Sequence, residues 1–152
     1  MRIVPKITLA SVLSSAAILA AFCYVSIDRQ LSHFENDVRR DHHAVCEILS
    51  AAVTAVWEEI GPEPARMLIV AANKLSSTSH VRWVQLDGTG DALLAPALDA
   101  TLLTAAHQGG EIVHIDWHAS DRPRVYTYEP VYVAGKIVGA IELTEDLDAE
   151  AG

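Results

Sequence analysis

Two short stretches hold most of the side chains able to do chemistry. The first is His114-Ile-Asp116-Trp-His118. Extended chain alternates its side chains, so two imidazoles and a carboxylate would share one face, with Val113, Ile115 and Trp117 on the other. That set suits Zn²⁺ or a similar ion. The wet side of an amphipathic strand gives the same alternation, and both readings fit. The second stretch is Asp41-His42-His43, within FENDVRRDHHAVCEILS (34–50), where charge and titratable rings interrupt an apolar helical pattern. A polar residue at a core heptad position costs stability and fixes register. Asp41 is then either part of a solvated helix face or a weak layer in a switchable seam.

Other candidates are less pointed. Arg82, Trp83, Tyr126 and Tyr128 are expected on strands, where they can stack on or hydrogen-bond a polar ligand, or serve as core and rim. Gly88-Thr-Gly90 follows a strand, but Leu93 takes the third glycine position and no βαβ unit follows, which excludes a dinucleotide fingerprint. His118, Ser120 and Asp121 have the residue types of a hydrolytic triad, yet sequence neighbours rarely reach triad geometry. No nucleophile elbow, phosphate loop or carboxylate pair marks this chain as an enzyme.

The elements that must position these residues follow from hydropathy and punctuation. The 152 residues allow one domain plus accessories. The 51 % hydrophobic share is inflated by ITLASVLSSAAILAAFCYV (7–25), an uncharged run that as a helix spans about 28 Å, the depth of a hydrocarbon core. Arg2 and Lys6 precede it, which favours a cytoplasmic N-terminus, although Arg29, Arg39 and Arg40 follow. Small-residue sites for a signal peptidase fit poorly, and Phe22 stands where a lipoprotein needs a small residue before Cys23. The expectation is an uncleaved anchor in the cell inner membrane, with the remainder outside the cytoplasm. All twenty acidic residues lie from Asp28 onward with nine of the eleven basic ones. Such a surface repels phosphate backbones, so nucleic acid is excluded as a partner. Cys23 and Cys46 form no disulfide framework; Cys46 reads as a buried thiol or, in an oxidising compartment, a bridge between two copies.

Residues 28–60 contain no Pro or Gly. Leu31, Val38, Val45 and Ala52 repeat every seventh residue, as do Phe34, Asp41, Ile48 and Ala55, which predicts a coiled-coil-like seam joining a homodimer over 31–56. GPEP (61–64) stops this helix and starts a second, reaching about Leu75. Strands are expected over 80–87, at a short edge near 92–95, and over 111–118, 124–133 and 136–143. A helix is expected over 96–110, and Thr144 with Glu145 and Asp146 reads as the cap and first turn of another. The domains are thus 1–27 (tip and anchor), 28–60 (dimerisation and signalling helix), 61–144 (sensor) and 145–152 (start of a connecting helix). The class is α+β, with an antiparallel sheet and covering helices.

Together, the anchor, FENDVRRDHHAVCEILSAAVTAVWEE, VRWVQLDG and TYEPVYVAGKIVGAIELTEDL resemble the extracytoplasmic input region of bacterial transmembrane sensor histidine kinases, with a PAS-like fold. The closing hairpin also recurs in chemoreceptors and cyclase receptors. The resemblance implies an unknown small-molecule or ion stimulus, sensed outside the cytoplasm and passed through the membrane-proximal helix. Family members continue into a second span, a phosphoacceptor helix pair and an ATP-binding domain. This sequence stops at Gly152, so kinase activity, ATP, Mg²⁺ and a response regulator are expected only for a longer parent. A stand-alone anchored or secreted binding module, with or without a metal site, is the alternative. His42 and His43 are not phosphoacceptors: DHHAVCEI lacks the family's pattern after the histidine and lies across the membrane from ATP. In a parent receptor with a switchable seam, Asp41→Leu is expected to lock one signalling state. Kinase output that still responds to stimulus as in the wild type would contradict the switch.

Overall fold

The computed structural model describes residues 18–20, 22, 26, 39–87, 91–119 and 122–147. Contacts divide the chain into two compact units, Met1–Arg40 and Asp41–Gly152. In the first, the described residues between 18 and 26 are helical. Most of the expected anchor, and the seam residues Leu31, Phe34 and Val38, lie outside the described residues. No helix among the described residues is long and apolar enough to cross a membrane.

The second unit is α+β. Helix α1 (41–59) ends in paired bonds from the Ile60 and Gly61 amides to the Val56 carbonyl. Gly61 takes φ 127°, a region glycine enters without strain, and Pro62 opens α2 (Pro62–Leu75). Then come β1 (Ser79–Val84), a 3₁₀ turn (Ala92–Leu94), the short α3 (Thr104–His107), β2 (Ile112–Asp116), β3 (Arg124–Val133) and β4 (Lys136–Asp146). The four strands form one antiparallel sheet in the order β1-β4-β3-β2. Ala134 and Gly135, both at positive φ, make the tight β3–β4 turn, and a register shift between Val131 and Tyr132 precedes it.

Strand alternation gives the sheet two buried faces. On the first, Val81, Trp83, Val131, Ile141 and Leu143 pack against Cys46 and Val53 of α1 and Ala65 and Ile69 of α2. On the second, Val84, Tyr128 and Ala140 pack against Leu103 and Ala106 from the connection between β1 and β2. The outer edge of β1 is closed: the Val81 amide donates to Asn73 Oδ1 of α2 (2.8 Å), and the Gln85 amide to the Leu94 carbonyl (2.8 Å).

Several boundaries differ from the sequence reading. From Asp41 onward, α1 belongs to the same compact unit as the sheet. The edge strand at 92–95 is a 3₁₀ turn holding a single bond to Gln85. The helix expected over 96–110 shrinks to Thr104–His107, since bends and turns over 97–103 lay Leu98 and Leu103 on the second face. β2 stops at Asp116, with Trp117 and His118 in a turn. Finally, Thr144, Glu145 and Asp146 continue β4, paired with β1 and β3, so no helix starts at Thr144; residues 148–152 lie outside the described residues.

The tightest point of the first face is Gly139. A Cβ there would lie 2.1 Å from Cζ2 of Trp83, whose ring in turn lies 5.3 Å from that of Trp57 on α1. Gly139→Ala must displace the indole and with it the α1 contact. Overpacking of this kind costs about 1–3 kcal/mol. Urea denaturation is expected to show a loss of that size, and an unchanged midpoint would contradict the close approach.

Candidate functional site

The second face of the sheet carries the polar candidates. His80 and Arg82 of β1, Glu142, Thr144 and Asp146 of β4, and Arg124 and Tyr126 of β3 line an open cleft of about 320 Å³, with Ala97 at its rim. Alternation puts these side chains on one face because they sit two residues apart along each strand, in matching register across strands. Tyr128 lies beneath them. On β2, His114 stands opposite Tyr126, and Asp116 opposite Arg124. The fold therefore gathers Arg82, Tyr126, Tyr128, His114 and Asp116 on one face. Trp83 points to the other face and joins the α1–α2 core.

A buried carboxylate organises the cleft floor. Glu142 is 2 % exposed, yet it is well supplied with donors. Arg82 Nε pairs with its Oε1. Its Oε2 accepts from the Tyr128 hydroxyl (2.5 Å) and from the Ala97 amide (2.9 Å). Arg82 also donates to the Leu93 and Ala95 carbonyls, and the Leu98 amide donates to the Tyr128 hydroxyl (3.2 Å). One network thus ties the segment 93–98 to the sheet, and a buried charge needs this many partners. Burial, reinforced by Glu142, pushes the Tyr128 phenol well above its ordinary range, so it stays a donor. At the cleft's other end Arg124 Nε donates to Asp146 Oδ1 (2.6 Å), and that guanidinium holds the Asp146 carboxyl below its usual range. Cations and carboxylates alternate around a small polar space. The arrangement can hold a small polar molecule by its own charges and hydroxyls; it holds no paired nucleophile and base.

His114, Asp116 and His118 do not converge. The alternation ends with β2, His118 is exposed in the turn, and its amide donates to Asp116 Oδ1 (2.9 Å). Among the described residues, no group of three His, Cys, Asp or Glu side chains is placed to hold a metal. Ser120, Asp121 and Gly88–Gly90 lie outside the described residues.

On the first face the double histidine divides its work. His42 is 4 % exposed and uses both ring nitrogens: Nδ1 lies 3.0 Å from Thr127 Oγ1 of β3, and Nε2 lies 2.6 Å from Glu145 Oε2 of β4. Thr–His–Glu has the composition of an acyl-transfer triad, but Thr127 is completely buried, so no substrate reaches its hydroxyl. The trio is a structural bridge. Residues 85 and 103 positions apart in sequence make it, and no local signal announces such a bond. Below it, Cys46 is packed against the sheet, and burial pushes its thiol up to about 12. It is an inert core group here, not a bridge between copies.

The predicted seam emerges on the adjacent side of α1. His42, Cys46 and Val53 face the sheet, with Leu49, Val56 and Trp57 partly buried beside them. Val45 and Ile48 are 51 % and 71 % exposed, and Asp41 is exposed in line with them. A shallow apolar groove between α1 and α2, lined by Val45, Ile48, Ala52, Leu68, Ala72 and Leu75, continues this surface.

The chain matches no protein-family model and no curated protein sequence. Geometry alone carries its functional reading. Tyr128→Phe is expected to cost about 1–3 kcal/mol, because it strips a donor from buried Glu142 and an acceptor from the Leu98 amide. Chemical denaturation checks this, and a loss near zero would contradict the network.

Proposed function

We propose that this chain is the signal-sensing input region of a membrane-anchored receptor, similar in plan to the extracytoplasmic PAS-like domains of two-component sensor histidine kinases. The observation that carries this reading is the double-sided character of α1. One stripe, His42-Cys46-Val53, is buried on the domain's own sheet, while Asp41, Val45 and Ile48 of the next are turned outward in heptad register, with Ala52 half-buried beside them. A helix built only to cover a sheet needs one apolar stripe. A second, in coiled-coil spacing, suits pairing with another copy. The sequence continues the same spacing back through Val38, Phe34 and Leu31 toward the apolar run of 7–25.

The mechanism follows from what touches what. A stimulus held in the cleft would act on β3 and β4, whose Tyr126, Thr144 and Glu142 line it. The neighbouring residues on those two strands, Thr127 and Glu145, face the other way and hold His42 of α1. A shift of β3 against β4 therefore reaches α1 through one imidazole, and α1 carries it to the seam. Rotation or sliding of packed helices by about 1–2 Å is enough to change such an interface. Histidine phosphorylation, with its ATP, Mg²⁺ and response regulator, would belong to segments beyond this chain.

Cysteine crosslinking in membranes tests the pairing. In a chain with Cys23 and Cys46 both replaced by Ser, Val45→Cys and Ile48→Cys are each expected to give a disulfide-linked dimer on mild oxidation. Val53→Cys, at a position fully buried against the sheet, is expected to give none. Monomer at both outward positions, with the protein folded, would overturn the receptor reading.

A further inference from the structure

His43 is the wet counterpart of His42. Its Nδ1 lies 2.7 Å from Glu111 Oε2, just ahead of β2, and its Nε2 lies 3.7 Å from Glu47 Oε2, one turn along α1. Glu129 of β3 lies two residues from Thr127, so strand alternation puts it on the sheet face that α1 covers. Glu111 leaves its second oxygen buried, with no donor among the described residues. Two carboxylates thus flank one imidazole where α1 meets the sheet, and a third, Glu129, stands on the same sheet face. We propose that His43, Glu111 and Glu129 form a proton-operated clasp, which holds the start of α1 on the sheet at acidic to neutral pH and slackens as the surroundings turn alkaline.

The chemistry gives the direction. Protonated, His43 donates to Glu111 and offsets the charges of Glu47 and Glu129. Neutral, it leaves three carboxylates facing one another around a half-buried junction, where like charges repel more strongly than in bulk water. The hydrogen bond to Glu111, then its charge, raise the His43 pKa above 6.5. Burial, then the Glu111 charge, raise that of Glu129 above 4.5. A group whose folded pKa is raised contributes stability that is present below its unfolded value and lost as pH rises through the folded one. Both groups therefore act with the same sign: Glu129 gives up its contribution above pH 4.5, and His43 above pH 6.5. The Arg124–Asp146 pair has the opposite sign, since its lowered carboxyl matters only as pH falls below 3.8. The other groups facing this end of α1 are Glu145, held by His42, and Cys46, whose buried thiol stays neutral across the window.

The clasp does not rest on the receptor reading, because a stand-alone domain would have the same pH dependence. Within a receptor it would make external proton concentration an input, or a gain control on another one. Hydrogen exchange of the full chain in detergent micelles tests it, with rates corrected for the intrinsic pH dependence of amide exchange. Protection over residues 42–50 is expected to fall at least threefold, roughly, between about pH 6 and pH 9. Glu129→Gln removes one repelling charge and is expected to keep more of the protection at the alkaline end. His43→Gln is expected to show no fall. Equal wild-type protection at both ends, or a wild-type fall retained in His43→Gln, would overturn the clasp. Should His43→Gln fail to fold, a wild-type fall in Glu129→Gln overturns it equally.

Discussion

Helix α1 has to satisfy two surfaces with one cylinder, and the rest of the structure depends on how it does so. Its residues advance about 100° each, so stripes one position apart lie on clearly different sides. The inner stripe gives the sheet its first-face core, with Cys46 and Val53 packed among Val81, Trp83, Ile141 and Leu143. The outer stripe, with Val45 and Ile48, is left to the surroundings. Neither can turn without the other, so the sheet and the seam share one rotational setting. In the proposed receptor, that rigidity would let a local change at the sheet be read elsewhere.

The polar groups at the helix–sheet junction give this setting its specificity. An all-apolar contact between a helix and a sheet tolerates small slides, because dispersion and burial have little direction. His42 removes that freedom by bonding β3 and β4 at once, from a site almost closed to water. On the opposite face Glu142 does the same for the covering segment, collecting Arg82, Tyr128 and the Ala97 amide. Both anchors sit on β4, the strand between β1 and β3. β4 therefore carries an anchor for each face of the domain.

Much of this was legible in the sequence, for identifiable reasons. RVYTYEPVYV alternates and is closed by AGK, and β3 spans Arg124–Val133 as that pattern requires. GPEP placed the break between α1 and α2 because proline and glycine act locally. What failed were patterns whose local signal was overruled by distant partners. The periodicity of 96–110 promised a helix, but Leu98, held by Tyr128, and Leu103, drawn into the second-face core, leave only four residues of it. Thr144-Glu145-Asp146 has good capping chemistry, yet pairing with β1 and β3 keeps it extended. Arg82, Tyr126, Tyr128, His114 and Asp116 were picked out as strand residues and do share a face; Trp83 and His118 do not, one by parity and the other because the strand ends first. Glu142 and the sheet partners of the two histidines carried no signal at all. A single sequence does not show a contact between residues far apart along it.

The most direct measurement of coupling between head and seam is a spin-label distance between two copies, read at position 48 in lipid nanodiscs at acidic and alkaline pH. The account predicts a short intercopy distance whose distribution shifts between the two conditions. A distribution that stays the same at both, or no intercopy distance at either, would contradict it.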